Sequence, residues 1–138
     1  MGADGYDGTP DYVVDGADLT AFNNVYWTNH YDPSDTDPAV QKFVAAYKAM
    51  FDSTPNAISA LAYDAVYMYK AAIEKAGSAD PKAVRDALAD TSVVYTGVTG
   101  VFSLDQSGTP TKGAAILSFA SDGATVTTKL VDVIKELK

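Results

Sequence analysis

Cysteine is absent from this 138-residue chain. Disulfides, thiolate catalysis and sulfur-built zinc sites are therefore excluded, although the compartment is not fixed by that absence. Histidine occurs once, as His30, so a Cys–His pair and a multi-histidine metal site are excluded as well. A Ser–His–Asp triad built on His30 stays formally open, but no Gly-x-Ser-x-Gly elbow presents a serine, and His30 reads as the end of a strand entering a surface loop. Basic residues are few: 10 against 18 acidic ones, a formal net charge of −8. Nucleic acid and anionic membrane both require basic patches and are not expected partners. No apolar run approaches the roughly 20 residues of a membrane span, and no basic-then-apolar leader opens the chain. Neither a P-loop nor a Gly-x-Gly-x-x-Gly turn is present. The run Asp4–Gly8 has the look of a calcium loop, but its third and fifth positions are Tyr6 and Gly8 and its twelfth is Asp15 rather than Glu. No carboxylate pair stands out as an acid/base couple. The expectation is a protein without catalytic residues, metal or cofactor.

Hydrophobic residues make up 47% of the chain, enough for a folded domain. The opening Gly2-Ala3-Asp4-Gly5-Tyr6-Asp7-Gly8 reads as a strand-to-helix loop whose strand lies upstream. Residues 9–18 can hold a short helix with Thr9 as cap, Pro10 at its first position and Gly16 at its end. Phe22 to Tyr31 reads as a strand, rich in Val25, Tyr26, Trp27 and Thr28. Asp37 then caps a helix with Pro38 at the first position, and Val40, Phe43, Val44, Tyr47, Met50 and Phe51 share one helical face. Ser53-Thr54-Pro55-Asn56 breaks it. A helix from Ala57 to Ala76 follows, with Gly77 as C-cap and a stripe of Ile58, Leu61, Ala62, Ala65, Val66, Tyr69, Ala72 and Ile73. Asp80 and Pro81 start a short helix with Val84, Ala87 and Leu88 inside. Three β segments close the chain, roughly Thr96–Leu104, Ala114–Phe119 and Thr125–Ile134. Turns at Asp105–Gly108 and Ser121–Gly123 separate them, and the end from Ile134 to Lys138 is expected to fray.

This is mixed α/β, helices first and a β meander last. A complete doubly wound domain alternates throughout, so the order fits a part of a larger fold.

Several segments, taken in order, resemble the branched-chain amino acid-binding family of ABC-transporter receptors. Gly2-Ala3-Asp4-Gly5 is similar to the family's strand-end motif in the second lobe. Val25-Tyr26-Trp27-Thr28-Asn29-His30-Tyr31-Asp32-Pro33 resembles the next strand and its exit loop, and Asp37 to Tyr47 the helix after it. Ala62-Tyr63-Asp64-Ala65-Val66-Tyr67 looks like the Gly-Tyr-Asp-Ala-Val-Tyr helix, with Ala62 in place of Gly. Gly97-Val98-Thr99-Gly100-Val101-Phe102-Ser103-Leu104-Asp105 followed by Gly108 matches a further family turn region. The resemblance implies part of a type I periplasmic-binding fold with Rossmann-like lobes. Residues 2–55 would end the second lobe and residues 56–138 would form the C-terminal part of the first. It also implies an extracellular or periplasmic protein, lipid-anchored through an upstream signal, that binds an amino acid or similar small molecule and docks on an ABC permease. A ligand-sensing or interaction module on the same fold is the alternative.

Four residues carry the implied site. Asp4 resembles the acidic strand-end residue that pairs with a ligand's α-ammonium, through a charge-assisted bond in a partly dry cleft; the competing reading is a turn aspartate. Tyr6 packs on the ligand or lines the loop. Ile58 resembles a position that touches the ligand's apolar side chain, or packs in the core. Tyr63 lies near the expected hinge, offering ring and hydroxyl to the cleft or buried between lobes. A part of a two-lobed fold exposes core surface, from which homodimerisation is expected.

Overall fold

The computed structural model describes residues 1–135. Two antiparallel sheets and three helices make up the molecule. Strand β1 (Tyr26–Asn29) is followed by helices α1 (Pro38–Phe51), α2 (Ala57–Ala76) and α3 (Pro81–Leu88). Then come β2 (Val94–Gly97), β3 (Gly100–Leu104), β4 (Pro110–Lys112), β5 (Ala114–Ser121) and β6 (Val126–Ile134). One sheet has the order β1-β5-β6 and the other β2-β3-β4.

The helix starts follow their local chemistry. Asp37 accepts the Ala39 amide at 2.8 Å and Asp80 accepts those of Lys82 and Ala83, each ahead of a proline that needs no hydrogen-bond acceptor. Asn56 caps α2 through the Ser59 amide at 2.9 Å, and Gly77 ends it in the left-handed region at φ 62°. The turns also run on aspartate: Asp105 Oδ1 accepts the Ser107 and Thr109 amides, and Asp122 Oδ1 those of Ala124 and Thr125.

Three expected elements differ. The helix expected over residues 9–18 is a single 3₁₀ turn, Thr9–Tyr12, because Tyr12 and Val14 find no surface to pack on and Gly16 takes φ 83°. The strand expected from Phe22 begins only at Tyr26, since Leu19–Phe22 forms another 3₁₀ turn and Asn24 is left-handed at φ 67°. The continuous segment Thr96–Leu104 is a hairpin: Val98 and Thr99 turn the chain between β2 and β3, and Gly97 lies opposite Gly100. The expected fraying beyond Lys135 lies outside the described residues.

Buried residues gather in three clusters rather than one. Alternate residues of β5 (Ala115, Leu117 and Phe119) pack with Trp27 on one face of the first sheet. Tyr31, Val40, Phe43, Val44, Ala57, Ala60 and Val98 join α1, the start of α2 and the hairpin turn. Ala72, Val84 and Ala87 hold α3 on the end of α2. The α2 stripe expected to lie inside is half uncovered: Ile58 is 66% and Val66 67% exposed, and Tyr69 is exposed beside them. On α1, Met50 and Phe51 are exposed too. The sheet β1-β5-β6 draws one strand from residues 2–55 and two from residues 56–138, so these two segments are not separate hydrogen-bonded units.

Candidate functional site

The opening loop is registered on β1 by backbone bonds. The Gly2 amide donates to Tyr26 O at 2.8 Å and the Thr28 amide to Gly2 O at 3.3 Å, a single parallel bridge to β1. A Cβ on Gly2 would meet the Tyr6 ring at 2.6 Å, so a larger residue there would displace that ring. Beyond the bridge the chain turns at Asp4–Tyr6, closed by the Asp7 amide on Asp4 O. This sets Asp4 beside the exit of β1. Its carboxylate is exposed, and Oδ2 stands 3.3 Å from His30 Nε2. Tyr6 stacks near Phe119, with ring centroids 6.3 Å apart, and lines an apolar pocket of about 320 Å³ with Phe22, Val25 and Phe119.

Asp7, which sequence reasoning passed over, ties this loop to α2. Its Oδ2 accepts the Ala57 amide at 2.9 Å, an otherwise unpaired first-turn donor at the positive end of the helix. Ile58 is the next residue, its side chain open to solvent. A lone aspartate 50 positions before its partner leaves no local sequence signal. Tyr31 adds a second tie: its buried hydroxyl donates to Pro55 O at 2.5 Å, just before α2. Burial, with Asp32 and Asp7 nearby, pushes the Tyr31 phenol well above the usual range.

Asp4 and Tyr6 thus share one turn, and Asp7 holds that turn to the helix start that carries Ile58. Tyr63 is separate. It packs on Phe43 (4.9 Å between centroids) and Tyr67 (4.7 Å), in a groove of about 480 Å³ on another flank of α2. A hydrogen bond with Tyr67 and partial burial raise its pKa.

The residue after Tyr63 on α2 centres a buried polar knot. Asp64 accepts from the amides of Val98 and Thr99 and from the Thr99 hydroxyl, each at 2.7 Å. Lys112 Nζ donates to that same hydroxyl at 2.7 Å. Burial lowers the Lys112 pKa, partly opposed by Asp64. A Cβ on Gly97 would overlap the Asp64 carboxylate, so a glycine is needed where the hairpin meets the helix. The segments Ala62–Tyr67 and Gly97–Leu104 carry no local sign that they meet, since the bonds between them span 34 and 35 positions. Among the described residues no group of three His, Asp or Glu side chains converges as a metal site, and no helix is long and apolar enough to cross a membrane.

The profile of the periplasmic binding protein family matches residues 5–124. No curated protein matches the chain. Among solved structures, a leucine-binding protein from Thermotoga maritima is 29% identical, with a TM-score of 0.74 over 96% of this chain and 36% of its own. The branched-chain amino acid transporter substrate-binding protein of Streptococcus pneumoniae, in complex with isoleucine, is 26% identical, with a TM-score of 0.70 over 94% of this chain and 36% of its own. A solute-binding protein from Rhodopseudomonas palustris, in complex with 3,4-dihydroxybenzoic acid, shares the fold at 21% identity and a TM-score of 0.71, over 96% of this chain and 35% of its own. The chain therefore spans about a third of the length of these relatives. The expected α/β architecture, part of a type I periplasmic-binding fold, is the one observed. With its profile match over most of its length, this chain belongs to the periplasmic binding protein family.

Proposed function

We propose that the chain is the C-terminal part of an ABC-transporter solute-binding protein for amino acids of the branched-chain type or related small molecules. The observation that carries this reading is the exposed Asp4 carboxylate at the exit of β1, on a turn that Asp7 clamps to the start of α2 beside Ile58. An ammonium held by Asp4 and an apolar side chain laid against Ile58 describe a zwitterionic amino acid with an aliphatic tail. Aromatic acids such as those bound by some relatives carry no cation for Asp4, so the carboxylate favours amino acids over them. Tyr6 borders the ammonium site. Tyr63 acts from the other flank of α2, where the lobes meet.

The role is binding rather than turnover. A ligand bridging two lobes stabilises the closed state because it contacts that state better than the open one, and the closed form docks on a membrane permease. Such a protein works in the periplasm or outside the cell, anchored by lipid through an upstream signal. The pairing of β1 with β5 and β6 favours one lobe built from residues 2–55 and 114–135, with α2, α3 and the β2-β3-β4 sheet in the other. In isolation, the uncovered α2 stripe promotes homodimers.

Thermal unfolding of the chain against a panel of amino acids and benzoate tests the reading. A ligand at 100-fold its Kd adds about 2.7 kcal/mol of stability. A shift with leucine, isoleucine or valine that vanishes in Asp4→Ala is expected. A shift with benzoate but none with any amino acid would overturn the assignment.

A further inference from the structure

We propose that a protonated His30 competes with a ligand's ammonium for Asp4, so that amino-acid binding weakens as pH falls. The inference rests on the reading of Asp4 as the ammonium site.

His30 follows directly on β1, and its amide donates to Asn29 Oδ1 at 2.8 Å, which fixes the direction of the chain as it leaves the strand. The Gly2 bridge brings the Asp4 turn to the same strand end, leaving Nε2 3.3 Å from Oδ2. Both side chains stay partly open to solvent, at 34% and 55%, so an incoming cation reaches either one. The other charged groups around the imidazole come from three directions. Asp35 precedes α1, Asp37 caps it and Lys135 follows β6, and all three line a cavity of about 180 Å³ with His30. Asp37 is engaged by the Ala39 amide and Asp35 by the Asp37 amide. Among the described residues, Asp4 is the carboxylate within ion-pair reach of His30.

A neutral imidazole leaves the negative charge of Asp4 available to an ammonium. A protonated one neutralises it and must be displaced before the ligand pairs. The ammonium of a free amino acid stays charged across this interval, so the pH dependence falls on His30. An exposed pair of this kind changes affinity by about two- to fivefold.

His30 is the only histidine, so its ring Cε1–H gives a single resolved NMR signal to follow with pH. That signal is expected to move in Asp4→Asn, which removes the paired charge, and in the native chain on saturation with leucine, isoleucine or valine. Affinity for these probes, measured by calorimetry at about pH 5.5 and about pH 7.5, either side of the ordinary imidazole value, is expected to be weaker at the lower pH. That difference should disappear in His30→Gln. A signal unmoved by Asp4→Asn, or equal affinity at both pH values, overturns the competition while leaving Asp4 as the ammonium site. Absence of binding by all three probes at both pH values overturns the ammonium site and the competition with it.

Discussion

Removing the Asp64 carboxylate should cost more stability than any other single polar change in this chain. Asp64 is buried, and its two oxygens satisfy two backbone amides and a hydroxyl at the turn between β2 and β3. Asp64→Ala strands the Val98 and Thr99 amides away from water. Each buried unsatisfied donor costs about 1–3 kcal/mol. It also takes the acceptor from the Thr99 hydroxyl, on which the partly buried Lys112 ammonium leans. A loss of about 3–5 kcal/mol results, in the range for breaking a buried charged network. At this chain length that is a fall in Tm of roughly 10–15 °C. Because domains hold only about 5–15 kcal/mol in total, Asp64→Asn is the companion variant. It keeps one acceptor but turns an NH₂ toward a donor, and should lose about half to two-thirds as much. Urea unfolding followed by the fluorescence of Trp27, the only tryptophan, reads the effect from a different buried cluster. Circular dichroism of the same samples reports the helices. A loss below about 1 kcal/mol for Asp64→Ala, or native stability in Asp64→Asn, would refute the claim that this carboxylate holds the hairpin to α2.

Three further outcomes follow from the same contacts. Gly97→Ala drives a Cβ into the Asp64 carboxylate and should destabilise by about 1–3 kcal/mol; in an Asp64→Ala background the penalty should shrink, which a double-mutant cycle in urea would show. Asp7→Ala removes the side-chain acceptor of the Ala57 amide and should cost about 1 kcal/mol; it should also blunt the leucine-induced thermal shift, because the Asp4 turn loses its tie to α2. Tyr31 has a phenol pKa raised by burial, so the folded state holds its proton more tightly than the unfolded chain. The stability it contributes is complete below the ordinary phenol value of about 10 and is lost as pH rises beyond it. Tyr31→Phe should therefore be less stable than the native chain at neutral pH by about 1 kcal/mol, the worth of its bond to Pro55. Its unfolding midpoint should also fall less steeply above pH 10; parallel slopes for the two proteins would contradict this.

Where an element is specified by neighbours in the chain, its place was legible. Asp37-Pro38 and Asp80-Pro81 each carry cap and first turn together, and α1, α2 and α3 begin and end where the spacing of caps, prolines and Gly77 puts them. The aspartate turns before β4 and β6 were legible for the same reason. Family membership was legible too, because ordered short motifs survive when overall similarity is low.

Tertiary structure decided what depends on contacts between distant residues. Thr96–Leu104 carries strand formers on either side of two glycines, yet it bends at Val98-Thr99, where a carboxylate 34 residues before Val98 accepts both turn amides and Gly100 takes φ 107°. Residues 9–18 carry apolar side chains and a Pro-led start, yet remain a single turn because the fold offers Tyr12 and Val14 no surface. The proximity of Asp4 to His30 across 26 positions comes from one parallel bridge at Gly2, and the tie between the opening loop and α2 from Asp7 reaching the Ala57 amide. The sequence by itself determined where α1, α2 and α3 begin and where the aspartate turns fall, since caps, prolines and turn residues act over a few positions. Only the folded chain decided which carboxylate stands beside His30, which caps a helix and which is buried in a hairpin, because that choice is made by whatever backbone or side-chain donor the fold brings within 3 Å or so of each oxygen.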